Sequence, residues 1–497
     1  MKLGRLIENL EVLESTADPE LEISGISYDS RKTEPGGLFV AIKGFEADGH
    51  RFIPKAVENG AAAVVCEDAP ADGTPYVRVK DCRHALAIVS RDFCGNPAGE
   101  MKLIGFTGTS GKTSSTYILK HVLETAGAKV GLIGTNGNMI GDRFLHTEHT
   151  TPESLELHQL FREMRDAGCT HVVMEVSSHS LVLSRVAGII FDVAVFTNLS
   201  QDHLDLHGTM EEYAAAKKRI FSQCRRGCVN ADDARGAYMA EGADCPILRY
   251  TAEDKDAELM AKDIRLTASG VRFAAVHGDE LALTRLAIPG MFSVYNALGV
   301  LAACLCLGMS LSDAAAGVSS ALGVKGRMES VPTDGDYSII IDYSHKPDAL
   351  EKALKALRPV TKGRLIVLFG CGGDRDRGKR PIMGEIAADN ADLVIVTSDN
   401  PRTEDPMDII REILPGVKSR HKPYKMICDR PEAIRWAIDN AGSGDVILLA
   451  GKGHEDYQII GHEKHHMDER EIVADWLKER RQDRIMRQEQ IPRKIEF

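Results

Sequence analysis

Residues Gly108-Thr-Ser-Gly-Lys-Thr113 follow an apolar run (Leu103, Ile104, Phe106) and open a helical pattern (Tyr117, Ile118, Leu119, Val122, Leu123). No other stretch narrows the fold so far, because a strand, a glycine turn and a helix must succeed one another without a spare residue. The commoner nucleotide loop reads Gly-x-x-x-x-Gly-Lys-Ser/Thr. Counting back from Gly111 meets Phe106, so the spacing here is the shorter Gly-x-x-Gly-Lys-Thr. Backbone N–H groups and a helix N-terminus would face a polyphosphate, where aligned peptide dipoles favour negative charge. Lys112 would neutralise terminal phosphates and the Thr113 hydroxyl would reach Mg²⁺. The loop implies ATP, with Gly108, Thr109, Ser110, Gly111, Lys112 and Thr113 as its phosphate contacts.

A chain of 497 residues exceeds one hydrophobic core, so several domains are expected. Its net charge of −12 argues against broad nucleic-acid binding. No apolar run is long enough to span a membrane, and Met1 to Leu13 mixes acidic with apolar residues, unlike a signal peptide. The eleven cysteines show no paired zinc spacing and read as free thiols of a reducing cytoplasm.

Two seams divide the chain, one at the turn-rich Cys94-Gly-Asn-Pro-Ala-Gly99 and one near Pro332-Thr-Asp-Gly335. Between them strands are expected over 102–107, 129–133, 171–176 and 192–197, with helices over 112–126 and 153–167, the pattern of a parallel sheet with crossover helices. Residues 246–288 read as β-rich and 293–307 as a helix. After the second seam the alternation restarts: strands at 338–341, 365–369, 393–396 and 446–449, helices over 347–357, 381–389 and 429–440. The expected fold class is α/β in three domains: a small N-terminal α/β domain (1–98), a central P-loop parallel-sheet ATPase domain (99–331) and a C-terminal Rossmann-like domain (332–497). The last fifteen or so residues read as a solvated tail.

Two polar clusters stand at strand ends beside the loop. Glu175-Val-Ser-Ser-His179 supplies a carboxylate where a nucleotide's Mg²⁺ needs an oxygen ligand, and Thr197-Asn-Leu-Ser-Gln-Asp-His-Leu-Asp205 crowds acids and imidazoles into a turn. Together with the loop, and with Pro289-Gly-Met-Phe-Ser-Val-Tyr-Asn296, Gly326-Arg-Met-Glu329 and Ile341-Asp-Tyr-Ser-His-Lys-Pro-Asp348, they resemble the Mur ligase family over essentially the whole chain. The family's members are ATP-dependent amide-bond ligases that build the peptide stem of peptidoglycan.

The resemblance implies roles by motif. Lys112, Glu175, His203 and Lys217 would be catalytic, with Lys217 carbamylated. Thr113, Glu175, His203 and Lys217 would hold two Mg²⁺ ions. Asn296 would meet the adenine, Arg327 the phosphates and Asp342 the ribose. Lys218 lies beside Lys217, and the motif alone chooses between them. Ser293, Ser344 and Lys346 depart from the family's commoner Asn, Ala and Thr, and Leu183 stands where some members carry Gln.

Gly370-Cys-Gly-Gly-Asp-Arg375 and Asp399-Asn-Pro-Arg402 are similar to the branch that adds the third stem residue, meso-diaminopimelate, to UDP-N-acetylmuramoyl-L-Ala-D-Glu. Diaminopimelate carries a carboxylate and an amine at its far end, and an arginine fork grips a carboxylate bidentately. Arg375 and Arg402 would meet that carboxylate, Asp399 and Asn400 the ammonium groups. Pro401, Gly451 and Glu455 complete the implied amino-acid set. Ser30, Phe45, Glu46, Ala47, Thr150, Thr151, Ser177 and Arg185 are implied for the nucleotide-sugar dipeptide. A monomeric cytoplasmic enzyme without nucleic-acid or membrane partners is expected. The rival expectations are the same ligase accepting lysine, a P-loop switch or motor ATPase, and a non-catalytic paralogue.

Overall fold

Continuous apolar runs dictate the buried strands, and the glycine turns between them set the direction of the chain. The computed structural model describes residues 1–489 except Phe45, Glu46, Glu148, Asp254, Lys255 and Leu322. The first sheet comprises β1 (Val12–Ser15), β2 (Ile26–Ser27), β3 (Gly37–Val40), β4 (Ala61–Cys66) and β5 (Tyr76–Val79), ordered β1-β5-β4-β3-β2. β2 to β5 run parallel and β1 pairs antiparallel with β5. Helix Cys82–Phe93, capped by the Asp81 carboxylate on the Arg83 and His84 amides, packs Leu86 and Val89 into the core with Leu38, Val65 and Val77.

The second sheet is built around β6 (Lys102–Thr107). Its strands β7 (Val130–Ile133), β8 (Asn138–Ile140), β9 (Arg143–Leu145), β10 (His171–Glu175), β11 (Val193–Phe196), β12 (Gly227–Asn230) and β13 (Ile247–Thr251) take the order β13-β12-β11-β6-β10-β7-β8-β9. β6 lies parallel between β10 and β11, so the loops that follow all three leave the same edge. That edge carries the phosphate loop, Glu175 and Thr197. The strands are buried almost end to end, as expected for a parallel sheet covered on both faces. The predicted β-rich stretch continues as β14 (Leu259–Thr267), β15 (Gly270–His277) and β16 (Glu280–Leu286), ahead of helix Met291–Cys306.

The third sheet holds β17 (Glu329–Val331), β18 (Ser338–Asp342), β19 (Leu365–Phe369), β20 (Leu393–Val396), β21 (Tyr424–Met426) and β22 (Val446–Ala450), ordered β17-β18-β22-β19-β20-β21. All neighbours are parallel except β17 with β18. A separate hairpin, β23 (Tyr457–Ile460) and β24 (Glu463–His466), precedes the closing helix Glu469–Glu489. The expected tail is therefore helical as far as Glu489, and the rest lies outside the described residues.

By internal contacts the chain forms two compact units, Met1–Ala261 with Ala275–Ala282 and Tyr295–Val318, and Lys262–Ala274 with Leu283–Val294 and Ser319–Phe497. No helix among the described residues is long and apolar enough to cross a membrane.

In the first unit, helix Ser154–Asp166 packs on helix Cys82–Phe93 and buries His158 completely. Neither imidazole nitrogen has a hydrogen-bond partner among the described residues, and the ring stacks edge-on to Phe161. Burial, and secondarily the nearby Arg91 cation, pull its pKa down to about 4. Unfolding releases the ring to bind protons near its ordinary value of 6.5, so stability is fully present above that value and is lost as pH falls toward 4. Between pH 7 and pH 5 this one group accounts for roughly 2 kcal/mol. His158→Leu should therefore unfold at a similar urea concentration at pH 7 and resist acidification to pH 5 better than the parent chain. Equal acid losses in both would contradict this.

Candidate active site

The phosphate loop is shaped by what surrounds it. Gly108 and Gly111 take φ of 147° and 86°, conformations that side chains rarely adopt. A Cβ on Gly108 would lie 2.0 Å from Thr197 Oγ1, and one on Gly111 2.3 Å from Asn296 Oδ1. The post-β11 turn holds the loop from outside. Asn198 Oδ1 accepts from the Ser110 amide at 3.0 Å, Thr197 Oγ1 donates to the Ser110 carbonyl at 2.8 Å, and the Asn198 carbonyl accepts from the Thr109 amide at 2.9 Å. Gly111 then caps helix Lys112–Thr125. Glu175 is buried at the end of β10, where Thr113 Oγ1 donates to its Oε1 at 2.9 Å. The Thr135 amide donates to the same oxygen at 2.9 Å, and the Thr135 hydroxyl to Oε2 at 3.2 Å. A hydroxyl and a carboxylate thus meet beside the loop, the hard oxygen donors that suit Mg²⁺.

Lys217, not Lys218, faces this site. Lys217 is 1% exposed, and its Nζ donates to the Gly108 carbonyl at 2.9 Å, an oxygen that Lys112 Nζ also contacts at 2.8 Å. Burial, reinforced by the Lys112 cation, drives the Lys217 ammonium well below its usual range. Lys218 points elsewhere, 4.3 Å over the Tyr238 ring. Helix Met210–Lys218 makes this distinction, since successive residues project about 100° apart. Tyr213, one turn earlier, reaches Thr109 Oγ1 at 3.2 Å. Around it gather His203 and His207, with His179 4.9 Å from His203 between ring centres. His203 is half-exposed at positive φ and stands 3.5 Å from Asp202. Among the described residues no three His, Cys, Asp or Glu side chains stand at metal-holding spacing, so the expected metal set depends on Thr113 and Lys217 as well as Glu175 and His203.

A cavity of about 670 Å³ opens in the first unit, lined by Tyr28, Ser30, Arg31, Ala47, Arg83 and Glu153 among others. Ser30 and Ala47 were both expected at the nucleotide-sugar end. Phe45 and Glu46, expected with them, lie outside the described residues. Glu153 pairs with Arg185 at 2.7 Å, Arg185 Nη1 donates to the Thr151 carbonyl at 3.0 Å, and Thr151 Oγ1 donates to the Glu175 carbonyl at 2.8 Å. Ser177 hydrogen-bonds Thr151, and Thr150 touches Thr135. The expected dipeptide residues therefore form one chain of contacts from the cavity wall to Glu175. Glu153 and Thr135 are its links that sequence reading missed, because neither sits in a recognisable motif.

In the second unit, β18, β19, β20 and β22 deliver Asp342, Gly370, Asp399 and Gly451 to one sheet edge. Asp399 is 8% exposed and its Oδ2 has no hydrogen-bond partner among the described residues. Gly451 has φ of 113°, and a Cβ there would lie 2.8 Å from that oxygen. Asn400 Nδ2 donates to Glu455 Oε2 at 3.0 Å, and the buried Lys452 ammonium bridges Asn400 Oδ1 at 2.8 Å and Glu455 Oε2 at 2.7 Å. Lys452 lies within Gly451-Lys-Gly-His-Glu455, a motif whose lysine carried no assigned role. Arg402, after the buried Pro401, takes a positive φ of 51° and donates through Nη1 to the Gly373 carbonyl at 2.9 Å. Arg375 is exposed and bonds only weakly to the Asp374 carbonyl at 3.3 Å.

Arg327 stacks 5.4 Å from the Tyr343 ring with its Nε unpartnered among the described residues. Asp342 is largely satisfied internally, by the Met328 amide at 2.8 Å and by a short hydrogen bond from Ser344, one of the departures noted in the sequence. Burial raises its pKa.

Three family models match the chain: the Mur ligase family catalytic domain over residues 22–94, the Mur ligase middle domain over 106–304, and the Mur ligase glutamate ligase domain over 326–453. Among similar proteins is the UDP-N-acetylmuramoyl-L-alanyl-D-glutamate--2,6-diaminopimelate ligase of Caldanaerobacter subterraneus subsp. tengcongensis, 49% identical over 96% of this chain and 99% of its own length. The ligase of the same name from Geobacillus thermodenitrificans is 45% identical over 97% of this chain and 100% of its own. A solved structure of a UDP-N-acetylmuramoyl-L-alanyl-D-glutamate--2,6-diaminopimelate ligase superposes with a TM-score of 0.77 at 32% identity, covering 97% of this chain and 99% of that one. The chain belongs to the Mur ligase family.

Proposed function

We propose that this chain joins an amine of meso-diaminopimelate to the γ-carboxylate of D-Glu in UDP-N-acetylmuramoyl-L-Ala-D-Glu, converting ATP to ADP and phosphate. The observation that carries the choice of amino acid is the Asp399–Arg402 loop. It offers a buried carboxylate oxygen without a partner for an ammonium group, beside an arginine fork for a carboxylate. The similar ligases named for 2,6-diaminopimelate support the same choice. Residues 1–98, 99–331 and 332–497 would serve the nucleotide-sugar, ATP and amino-acid ends respectively. The enzyme would be a cytoplasmic monomer.

A γ-carboxylate oxygen attacks the γ-phosphorus of ATP, ADP leaves, and an acyl phosphate forms. The amine then adds to the acyl carbon, loses a proton, and phosphate departs carrying the bridging oxygen. Two anions must approach in the first step, so the chain's task is positioning and charge compensation. Loop amides 108–113 and Lys112 hold the phosphates, with Asn296 at the adenine, Arg327 at the phosphates and Asp342 at the ribose. Thr151, Ser177 and Arg185 orient the dipeptide toward Glu175. Thr113, Glu175, His203 and carbamylated Lys217 would hold Mg²⁺, which would supply positive charge to offset that of the transferring phosphoryl group. Burial lowers the proton affinity of Lys217, which favours the neutral amine that adds CO₂, and the resulting carbamate oxygens would suit a hard cation as an ammonium does not.

Labelling the D-Glu γ-carboxylate with ¹⁸O tests the sequence of steps. One labelled oxygen should appear in each phosphate released. Unlabelled phosphate alongside tripeptide product would contradict the acyl phosphate.

A further inference from the structure

Arg430 and Glu469 form an ion pair whose side chains are both fully buried, Arg430 Nε donating to Glu469 Oε1 at 2.8 Å. The two residues open different helices, Arg430–Asp439 and Glu469–Glu489, and neither belongs to a motif assigned above. The rest of the guanidinium is spent on backbone. Nη2 donates to the Ala450 carbonyl at 2.8 Å and Nη1 to the Ser398 carbonyl at 3.3 Å. Those are the last carbonyls before Gly451 and Asp399, where the two amino-acid loops begin. Their strands, β22 and β20, are not neighbours in the sheet, since β19 lies between them. The β ladder therefore does not join these two strand ends directly, and Arg430 bridges them.

A fully buried ion pair is a poor stabiliser: apolar residues of similar size are often as good or better. Glu469 Oε2 even lacks a hydrogen-bond partner among the described residues. The geometry explains the pair better than stability does. Asn400 and Glu455 can share Lys452 and face one ligand only if the two loops keep a fixed separation. Asp429 caps the helix that Arg430 opens, accepting from the Glu432 amide, which fixes the helix start from which the arginine projects. The neighbour of Glu469, Arg470, extends the same arrangement by donating to the Gly453 carbonyl at 2.9 Å.

We propose that the Arg430–Glu469 pair is a positioning device for the amino-acid site, setting the spacing between the Asp399–Arg402 and Gly451–Glu455 loops. Neither residue touches the substrate. The proposal rests on the function above only for the identity of the amino acid.

The double variant Arg430→Met/Glu469→Met separates positioning from stability, because it removes both charges together. Its melting temperature should stay near that of the parent, whereas KM for diaminopimelate should rise by at least roughly tenfold. KM for ATP and for the nucleotide-sugar should stay within roughly twofold of the parent. Amide hydrogen exchange at 399–402 and 451–455 should quicken. A folded double variant with the parent's KM and exchange rates would overturn the proposal. Should the double variant fail to fold, Arg430→Lys decides by the same two readouts, since lysine keeps the charge but cannot fork to both carbonyls. If the parent ligates lysine instead, the substrate reading fails, and KM for lysine judges the pair. If it ligates neither, the exchange rates judge it alone.

Discussion

Replacing Lys217 with Ala should lower ligation by roughly a hundredfold to a thousandfold, while Lys218→Ala should leave it close to that of the parent. The two residues are adjacent in sequence, yet only Lys217 turns inward to share the Gly108 carbonyl with Lys112. On the proposed carbamate role, removing it would take away an oxygen ligand and leave the transferring charge uncompensated, a loss of the order seen when one electrostatic stabiliser is removed, roughly 10²–10³ in kcat. A short carboxylic acid such as acetate or formate should partly restore turnover to Lys217→Ala, because it can place a carboxylate where the proposed carbamate would stand. Rescue by ethylamine in place of acetate would mean that an ammonium acts there. Steady-state turnover with each additive, for both variants, reads the result. Undiminished turnover by Lys217→Ala would remove the carbamate from the account.

Arg402→Ala should reduce kcat/KM for meso-diaminopimelate by roughly a hundredfold, the cost of leaving a desolvated charge without its partner. Turnover with L-lysine, which has no distal carboxylate, should change by less than about threefold, so the preference between the two collapses. Arg402→Lys should not restore it, since a point charge cannot grip a carboxylate through two parallel hydrogen bonds. The positive φ at Arg402 and the Gly373 carbonyl on Nη1 hold one edge of the fork, leaving the remaining N–H groups for a ligand. Equal losses with both amino acids would show that Arg402 supports the loop and does not read the substrate.

How much of this could be read from the chain depended on whether the signal was local. Buried strands such as Leu365–Phe369 and Val446–Ala450 announce themselves as unbroken apolar runs, and helix Pro347–Leu357 begins at a proline, as helices often do. Helix Pro406–Lys418 was not anticipated because Pro415 sits inside it, and proline ordinarily argues against a helix. The hairpin β23–β24 escaped notice because Glu463-Lys-His-His466 is exposed throughout and lacks alternation. The closing helix is too polar to show a stripe. Within the site, the loop, Glu175 and Asp399–Arg402 were legible as motifs, since their chemistry needs adjacent residues. In the sequence the choice of Lys217 over Lys218 rests on the motif alone, and its physical reason, the inward turn of Lys217, needs the helix's orientation. Thr135 on Glu175, and Glu469 on Arg430 across 39 residues, required the fold itself.

Phosphate release by the purified protein with ATP, Mg²⁺ and UDP-N-acetylmuramoyl-L-Ala-D-Glu, with meso-diaminopimelate or L-lysine added separately, shows which amino acid the chain ligates. Release that depends on diaminopimelate, with a tripeptide product of matching mass, is the predicted result. Release with lysine and not with diaminopimelate would contradict the assignment of the Asp399–Arg402 loop, and ATP hydrolysis indifferent to both amino acids would contradict the ligase itself.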